Sequence, residues 1–402
     1  MITDDKIGIG FGRLAPMDEF GSFDGTKFTL DEARLDKEDH AAANAGANFD
    51  HVFPYGVWGK HPGGKKDSQF QPYVLDTSRD KWDLSAFNSY YFPIMRRIFE
   101  IANGVNMSVI FDWFDNCQFH GDTKKWSPWI SNVQGVETFY DTDADRYTRA
   151  WILRCLDAFA GLDVIWAFGN ELDNQAFPEM AERIIIPIIK SKKLDFNRMT
   201  YGATTRIVSG DSVQDLVRQA IGDQFGPVAE KNVIMEDHGW PFTDSLPVWG
   251  DRPWRKLYSD DGCYTGKSKC DTYSGQGARP SATEWGKMAL DILKAYPAAV
   301  SGRERLISFE HLPAGGRSDN LDCQVETIKA ISGAYRSRFG AWPSNYGKHP
   351  YVPPSPGPGP TPPEPPPEPV QDCKCSYWLT EQKQPDIWRW LKCLFGGEKR
   401  CK

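Results

Sequence analysis

No apolar run in the 402-residue chain approaches the roughly 18 residues that a membrane-spanning helix needs, which excludes a helical membrane span. Positive charge is not in excess. Lys and Arg number 47 against 54 Asp and Glu, a net charge of -7, which argues against nucleic acid or an anionic membrane surface as a partner. The opening stretch MITDDKIGIGFG lacks the charged-then-apolar pattern of a secretory leader, so a leader is either absent or already removed. The glycines of GIGFG lack the spacing of a dinucleotide-binding turn, and no helical pattern follows them promptly. The acidic run YDTDADR, Tyr140 to Arg146, lacks the spacing and the glycine of an EF-hand loop and reads instead as a helix cap. Asp112, Asp115 and Asn116 are a second acidic cluster with donors suited to calcium.

What is present is an ordinary globular composition, 40% hydrophobic and 25% charged, with enough apolar material for a large core. Aromatics are abundant, at 15 Trp, 15 Tyr and 23 Phe. Such rings either fill a core or offer flat faces on which sugars stack. Of the nine cysteines, Cys117, Cys155 and Cys323 sit in or beside apolar segments and read as buried thiols. Cys263 and Cys270 flank a Gly/Lys/Ser loop, and Cys373, Cys375, Cys393 and Cys401 crowd the C-terminal end. That crowding points to disulfides in an oxidising compartment, hence to an extracellular protein. Zinc is the competing reading of the terminal group, but Cys-X-Cys without a matching second pair fits common ligand spacings poorly.

One boundary is plain. Pro353 to Pro369 reads PPSPGPGPTPPEPPPEP, where fixed φ and missing amide hydrogens forbid helix and sheet. At about 3.1 Å per residue it is a semi-rigid spacer on the order of 50 Å long. The expected division is therefore a large unit at 1–350, a linker at 351–371 and a small Cys/Trp-rich module at 372–402. In the large unit, eight short apolar runs recur: Lys6 to Gly12, Phe49 to Tyr55, Ser108 to Phe114, Val164 to Gly169, Met199 to Thr205, Asn232 to His238, Pro280 to Gly286 and Leu306 to Leu312. Helical patterns fill most gaps: Thr29 to Ala45, opened by a TLDE capping box, then Ser85 to Ala102, Asp143 to Ala160, Pro178 to Ser191, Ser212 to Ile221, Gly286 to Ala295 and Cys323 to Phe339. Eight strand-helix alternations predict an α/β fold, a closed (β/α)8 TIM barrel, with a doubly wound open sheet as the alternative.

In such a barrel the carboxyl ends of the strands converge on one mouth. Those ends are rich in acids: Asp112 and Asp115 on the third, Asn170, Glu171 and Asp173 on the fourth, Glu236 and Asp237 with His238 on the sixth, Glu284 on the seventh, Glu310 with His311 on the eighth. Two carboxyl groups facing each other across a cleft are the equipment for cleaving a glycosidic bond. One protonates the leaving oxygen, and the other attacks the anomeric carbon or activates water.

WAFGNEL on the fourth run and SATEWG on the seventh resemble the two signatures of the retaining glycoside hydrolases of clan A, most nearly family 5, which includes endoglucanases and mannanases. The resemblance spans Lys6 to Phe339 as strand order plus motifs. It implies that Glu171 is the acid/base, that Asn170 donates to the sugar 2-hydroxyl and that Glu284 is the nucleophile, with Glu310 as a rival. DHGW matches the clan's His-X-aromatic element and implies that His238 and Trp240 lie near the nucleophile. His51, Asp115, Trp285 and Glu310 complete the expected sugar contacts. A retaining route needs the two carboxyl groups about 5 Å apart, and the acid must be held protonated by an apolar wall, for which Trp166 and Phe168 are candidates. The chain departs from the family pattern where GANFDH places His51 in the usual position of an arginine, where FDWFDNC lacks a histidine, and where SFEHL lacks a tryptophan. His51 is either a sugar contact or a core histidine. The implied activity is endo-acting hydrolysis of β-1,4-linked glucan or mannan by a monomer that needs no metal or other cofactor. The alternatives are an exo-glycosidase on short oligosaccharides and a catalytically silent sugar-binding barrel. In the tail, Tyr377, Trp378, Trp388 and Trp390 serve a small sugar-binding module, a docking segment or that segment's own core.

Overall fold

Eight parallel strands pair edge to edge until the last meets the first, closing a ring. In chain order they are β1 (Ile7–Arg13), β4 (Phe49–Val52), β7 (Ser108–Asp112), β8 (Val164–Ala167), β9 (Met199–Thr204), β10 (Ile234–His238), β11 (Arg255–Asp260) and β12 (Arg305–Phe309). β1 closes the ring by pairing with β12 on one side and β4 on the other, with Gly10 level with both Ser308 and Phe49. The computed structural model describes residues 7–13, 16–54, 69–78, 81–114, 142–169, 177–194, 199–204, 220–226, 234–238, 255–260, 305–309, 325–326, 328–330 and 332–333. The chain divides into Met1–Ser355 and Pro356–Lys402, and all described residues belong to the first unit. The expected linker and terminal module at 351–402 lie outside the described residues.

The seventh place in the ring corrects the expected strand list. It belongs to β11, not to Pro280–Gly286, which lies outside the described residues in the connection from β11 to β12. Helices α2 (Glu32–Ala45), α3 (Tyr91–Gly104) and α4 (Thr142–Ala158) carry the chain from each of the first three ring strands to the next.

Period-two alternation sorts the strand side chains. Phe49, Ile110, Ile165 and Ala167, from three neighbouring strands, form a small closed cluster of their own on the inward side of those strands. Phe111, Trp113, Trp166 and Phe168 alternate with them and join the larger core against the helices. There Phe99 of α3 meets Phe159 at 4.6 Å between centroids, Phe159 meets Phe111 at 5.4 Å, and Trp113 stacks on Trp166 at 5.7 Å. Trp151 of α4 closes this layer, donating Nε1–H to the Trp113 carbonyl at 2.8 Å. Much of the aromatic excess among the described residues is therefore core.

The glycines of GIGFG have a packing explanation at Gly10. A Cβ built there would lie 2.4 Å from both the Phe49 ring and the Phe49 carbonyl oxygen, so only a bare Cα leaves room for the interior ring of β4. Gly10→Ala is expected to cost at least about 1–3 kcal/mol, because a backbone atom is among the obstacles. A urea midpoint unchanged from wild type would refute that packing.

Two excursions are antiparallel hairpins: β2 (Gly21–Phe23) with β3 (Phe28–Leu30), and β5 (Tyr73–Asp76) with β6 (Lys81–Phe87). Each corrects an expected helix start. Thr29 is drawn into β3, so Asp31 caps α2 instead, its carboxylate accepting from the Arg34 N–H at 3.1 Å. Glu32, expected to reach back to the cap, bonds Arg97 on α3 at 2.8 Å. Ser85 lies within β6, and α3 begins after Asn88, whose Oδ1 accepts from the Tyr90 N–H at 3.0 Å.

After β8 the helical path runs through α5 (Phe177–Met180), a π-helical turn (Ala181–Ile185) and α6 (Ile186–Lys192). Pro187 has no N–H to offer the carbonyl four residues back. That carbonyl, on Arg183, accepts from Arg149 Nη2 of α4 at 3.4 Å, and the Arg183 side chain bonds Asp145 of the same helix at 2.7 Å.

Candidate functional site

The carboxyl edge of the ring is where the sequence places its acids. β8 ends at Ala167; Asn170 and Glu171 come shortly after it in the chain and lie outside the described residues, and Asp115, Trp240, Glu284 and Trp285 also lie outside them. Glu310, also outside them, directly follows the last residue of β12. His238 is the last residue of β10, level with Thr204 and Ser259 on the neighbouring strands. β11 ends in Asp260, a strand-tip acid concealed in the sequence by the charged composition of RKLYSD.

His51 is the expected site residue whose surroundings are described. It shares the inward phase of Phe49 on β4 and lies level with Ile110 of β7. Nε2 meets Asp112 Oδ2 at 2.7 Å, both side chains are fully buried at 0% exposure, and the ring stacks on Phe53 with centroids 4.8 Å apart. Asp112 shares the inward phase of Ile110 and lies level with Ala167 of β8. The pair therefore occupies the interior at the level of the apolar cluster's carboxyl-side members.

The opposite face of the same strands carries a second polar group. Arg13, the last residue of β1, is buried and extends toward α2. Its Nε donates to Asp50 at 3.0 Å, Nη2 to Asp39 at 2.5 Å and Nη1 to Glu38 at 3.3 Å. Arg34 joins Glu38 to Glu19 at 2.9 and 3.2 Å. Both guanidinium groups lie 4.8 Å from the centroid of the Phe20 ring, in the adjoining helix α1 (Pro16–Phe20). Burial by itself would discharge Arg13, but Asp50, Asp39, Glu38 and Glu19 together outweigh it and hold the cation firmly charged. The acids feel the reverse balance. Burial, opposed by Arg13, pushes Asp39 up to about 8 and Asp50 up to about 6. No hydrogen bond among the described residues reaches Asp39 Oδ2 or Asp50 Oδ1, the oxygens where such protons would sit.

These shifts have a definite sign. An acid that binds its proton more tightly when folded adds stability that is complete below its unfolded value, near 3.8, and fades as pH rises through its folded value. Stability from this cluster should thus decline from about pH 4 to pH 8, first through Asp50 and then through Asp39. Asp39→Asn removes the later titration while keeping an acceptor for Arg13. The expected outcome is a flatter urea midpoint between pH 6 and 9 than in wild type; equal slopes would contradict it. The signal in the sequence was Arg34 to His40, RLDKEDH, whose acids are too many for a solvent-facing stripe alone.

Trp166 and Phe168, candidates for an apolar wall around Glu171, pack in the core between sheet and helices, and Glu171 itself lies outside the described residues. Cys155 of α4 is a free, fully buried thiol whose proton is held well above the ordinary range by burial, as its apolar setting suggested; Cys117 and Cys323 lie outside the described residues. Among the described residues no group of three His, Cys, Asp or Glu side chains could hold a metal ion, and no helix is long and apolar enough to cross a membrane.

No protein-family model matches this chain, and no curated protein matches it. Solved structures do resemble it. The β-mannanase of the blue mussel Mytilus edulis superposes at a TM-score of 0.49 with 12% identity, over 84% of this chain and 94% of that one. The exo-β-1,4-mannosidase Op5Man5 of Opitutaceae bacterium strain TAV5 gives 0.47 with 14% identity over 83% of this chain, which spans only 60% of that protein's length. The homocysteine methyltransferase MmuM of Escherichia coli gives 0.43 with 12% identity, over 82% of this chain and 96% of that one. Likeness at this level extends across unrelated chemistries.

Proposed function

We propose that the closed ring and its outer helices form a (β/α)8 barrel and that the chain is a retaining glycoside hydrolase of the clan A type. The observation that supports this reading best is the position of Asn170 and Glu171. They follow β8, the fourth ring strand, whose residues Ile165 and Ala167 belong to the inward cluster. In the proposed reaction Glu171 gives its proton to the glycosidic oxygen as Glu284 attacks the anomeric carbon, and the leaving sugar departs with that proton. Water then attacks the glycosyl ester, losing a proton to Glu171 and freeing the Glu284 carboxylate. Asn170 holds the sugar 2-hydroxyl, and His238, Trp240 and Trp285 line the site. The substrate we favour is a β-1,4-linked glucan or mannan cut internally.

A second reading of the nucleophile is favoured by the ring itself. With β11 in the seventh place, Asp260 holds the strand-tip position first expected of Glu284, and Glu310 the one after β12. Residues 351–371 would tether the Cys/Trp-rich segment 372–402 to the barrel of an exported monomer.

Reducing-sugar release from soluble glucans, mannans and xylans is the test. A steep fall in viscosity with few new ends supports internal cleavage, and single-sugar release supports an exo-acting enzyme. Binding to a glycan without release would leave a silent barrel, and neither binding nor release would end the proposal.

A further inference from the structure

The pair formed by His51 and Asp112 is hard to explain by stability. It lies at 0% exposure beside Ile110 and Ala167, on strands whose other inward side chains include Phe49 and Ile165. An apolar pair of similar volume would avoid removing an imidazole and a carboxyl group from water, and such replacements are often neutral or stabilising. What the polar pair adds is definition. A carboxylate oxygen 2.7 Å from Nε2 selects the ring form that carries hydrogen on that nitrogen, and the Phe53 face, 4.8 Å away, restricts the ring plane. Orientation and tautomer are thus both set at the carboxyl ends of β4 and β7.

We propose that Asp112 is a positioning residue for the reaction: through its bond to Nε2 it fixes one orientation and one tautomer of His51, and through that ring it acts on the chemistry at the carboxyl ends of the strands. This rests on the hydrolase reading above and extends it to a residue on β7, the strand that pairs with β8, after which Glu171 follows in the chain. Neither member of the pair needs to touch the sugar. Two charged groups near His51 lie on the α2-facing side of the strands. Asp50 precedes His51 in β4 and faces α2, and Arg13 stands beyond Asp50 on β1.

The first measurement needs no variant. Nitrogen NMR of imidazole-labelled full-length protein, with His51→Gln identifying the signal, should show Nε2 protonated throughout pH 5 to 9. A neutral ring protonated on Nδ1 would overturn the proposal whether or not any substitution folds. The second measurement is Asp112→Asn, which keeps the shape and can present its amide to Nε2. It should reverse the tautomer, lower kcat about tenfold or more with a smaller change in KM, and move a limb of the pH–rate profile. Asp112→Glu, which restores a carboxylate, should recover part of that loss. If Asp112→Asn lowers the melting temperature but leaves tautomer and pH profile as in wild type, Asp112 is merely structural. A wild type inactive on every glycan removes the hydrolase reading and the catalytic role together. An active wild type with an unaltered variant profile removes the role of Asp112 alone.

Discussion

Glu284→Ala is expected to lower turnover of a glycan by roughly a thousandfold or more, since on the proposed reading the covalent half of a double displacement would have no nucleophile. Azide should then restore part of the rate. A small anion fits the space left by the carboxylate and attacks the anomeric carbon from the same side, so the product is a glycosyl azide of inverted configuration. That product distinguishes loss of a nucleophile from loss of fold, because an unfolded variant has nothing to rescue. Asp260→Ala and Glu310→Ala are the controls the ring topology calls for. Should either show the azide-rescued behaviour while Glu284→Ala retains its turnover, the nucleophile belongs to the tip of β11 or to the residue after β12, and the resemblance in SATEWG is incidental.

Arg13→Met carries the largest expected effect on stability. The guanidinium is the common partner of Asp39, Asp50 and Glu38, and the first two are fully buried. Removing one member of a buried ion group strands the others, at a cost of about 3–5 kcal/mol. The loss should depend on pH in a direction that follows from the same charges. Arg13 is the principal influence holding Asp39 and Asp50 down against burial, so without it both protonate more readily. The variant should therefore regain stability as pH falls toward 5 and be weakest above pH 8, with urea unfolding at the two values as the measurement. A small, pH-independent change would mean that water reaches these acids and that the group is less sealed than its geometry indicates.

The elements legible in the sequence were those whose burial is complete and whose composition shows it. SVIFD and VIWA are continuous apolar runs and are the ring strands β7 and β8. β11 was missed because RKLYSD has charged residues at three of its six positions and resembles an exposed segment. The hairpin of β5 and β6 was missed for another reason. Its buried positions, Trp82 and Leu84, alternate only briefly before Ser85, and a strong helical pattern follows close behind. The polar constellations were still less visible, since they are made between elements. His51 and Asp112 stand 61 residues apart in sequence, and Arg13 and Asp50 stand 37 apart, so no local spacing announces either pair. The acids proposed for chemistry are the reverse case, conspicuous as motifs in the chain and lying outside the described residues.

The widened turn at Ala181–Ile185 bears on how this scaffold tolerates changes of length. A π turn closes each hydrogen-bonded loop over one more residue than an α turn does. Deleting a residue there would return the segment to ordinary helical winding and leave β8 and β9 in their present alignment. Between the fourth and fifth staves of the ring, the wall thus has a seam where related chains of unequal length could share one set of strand registers.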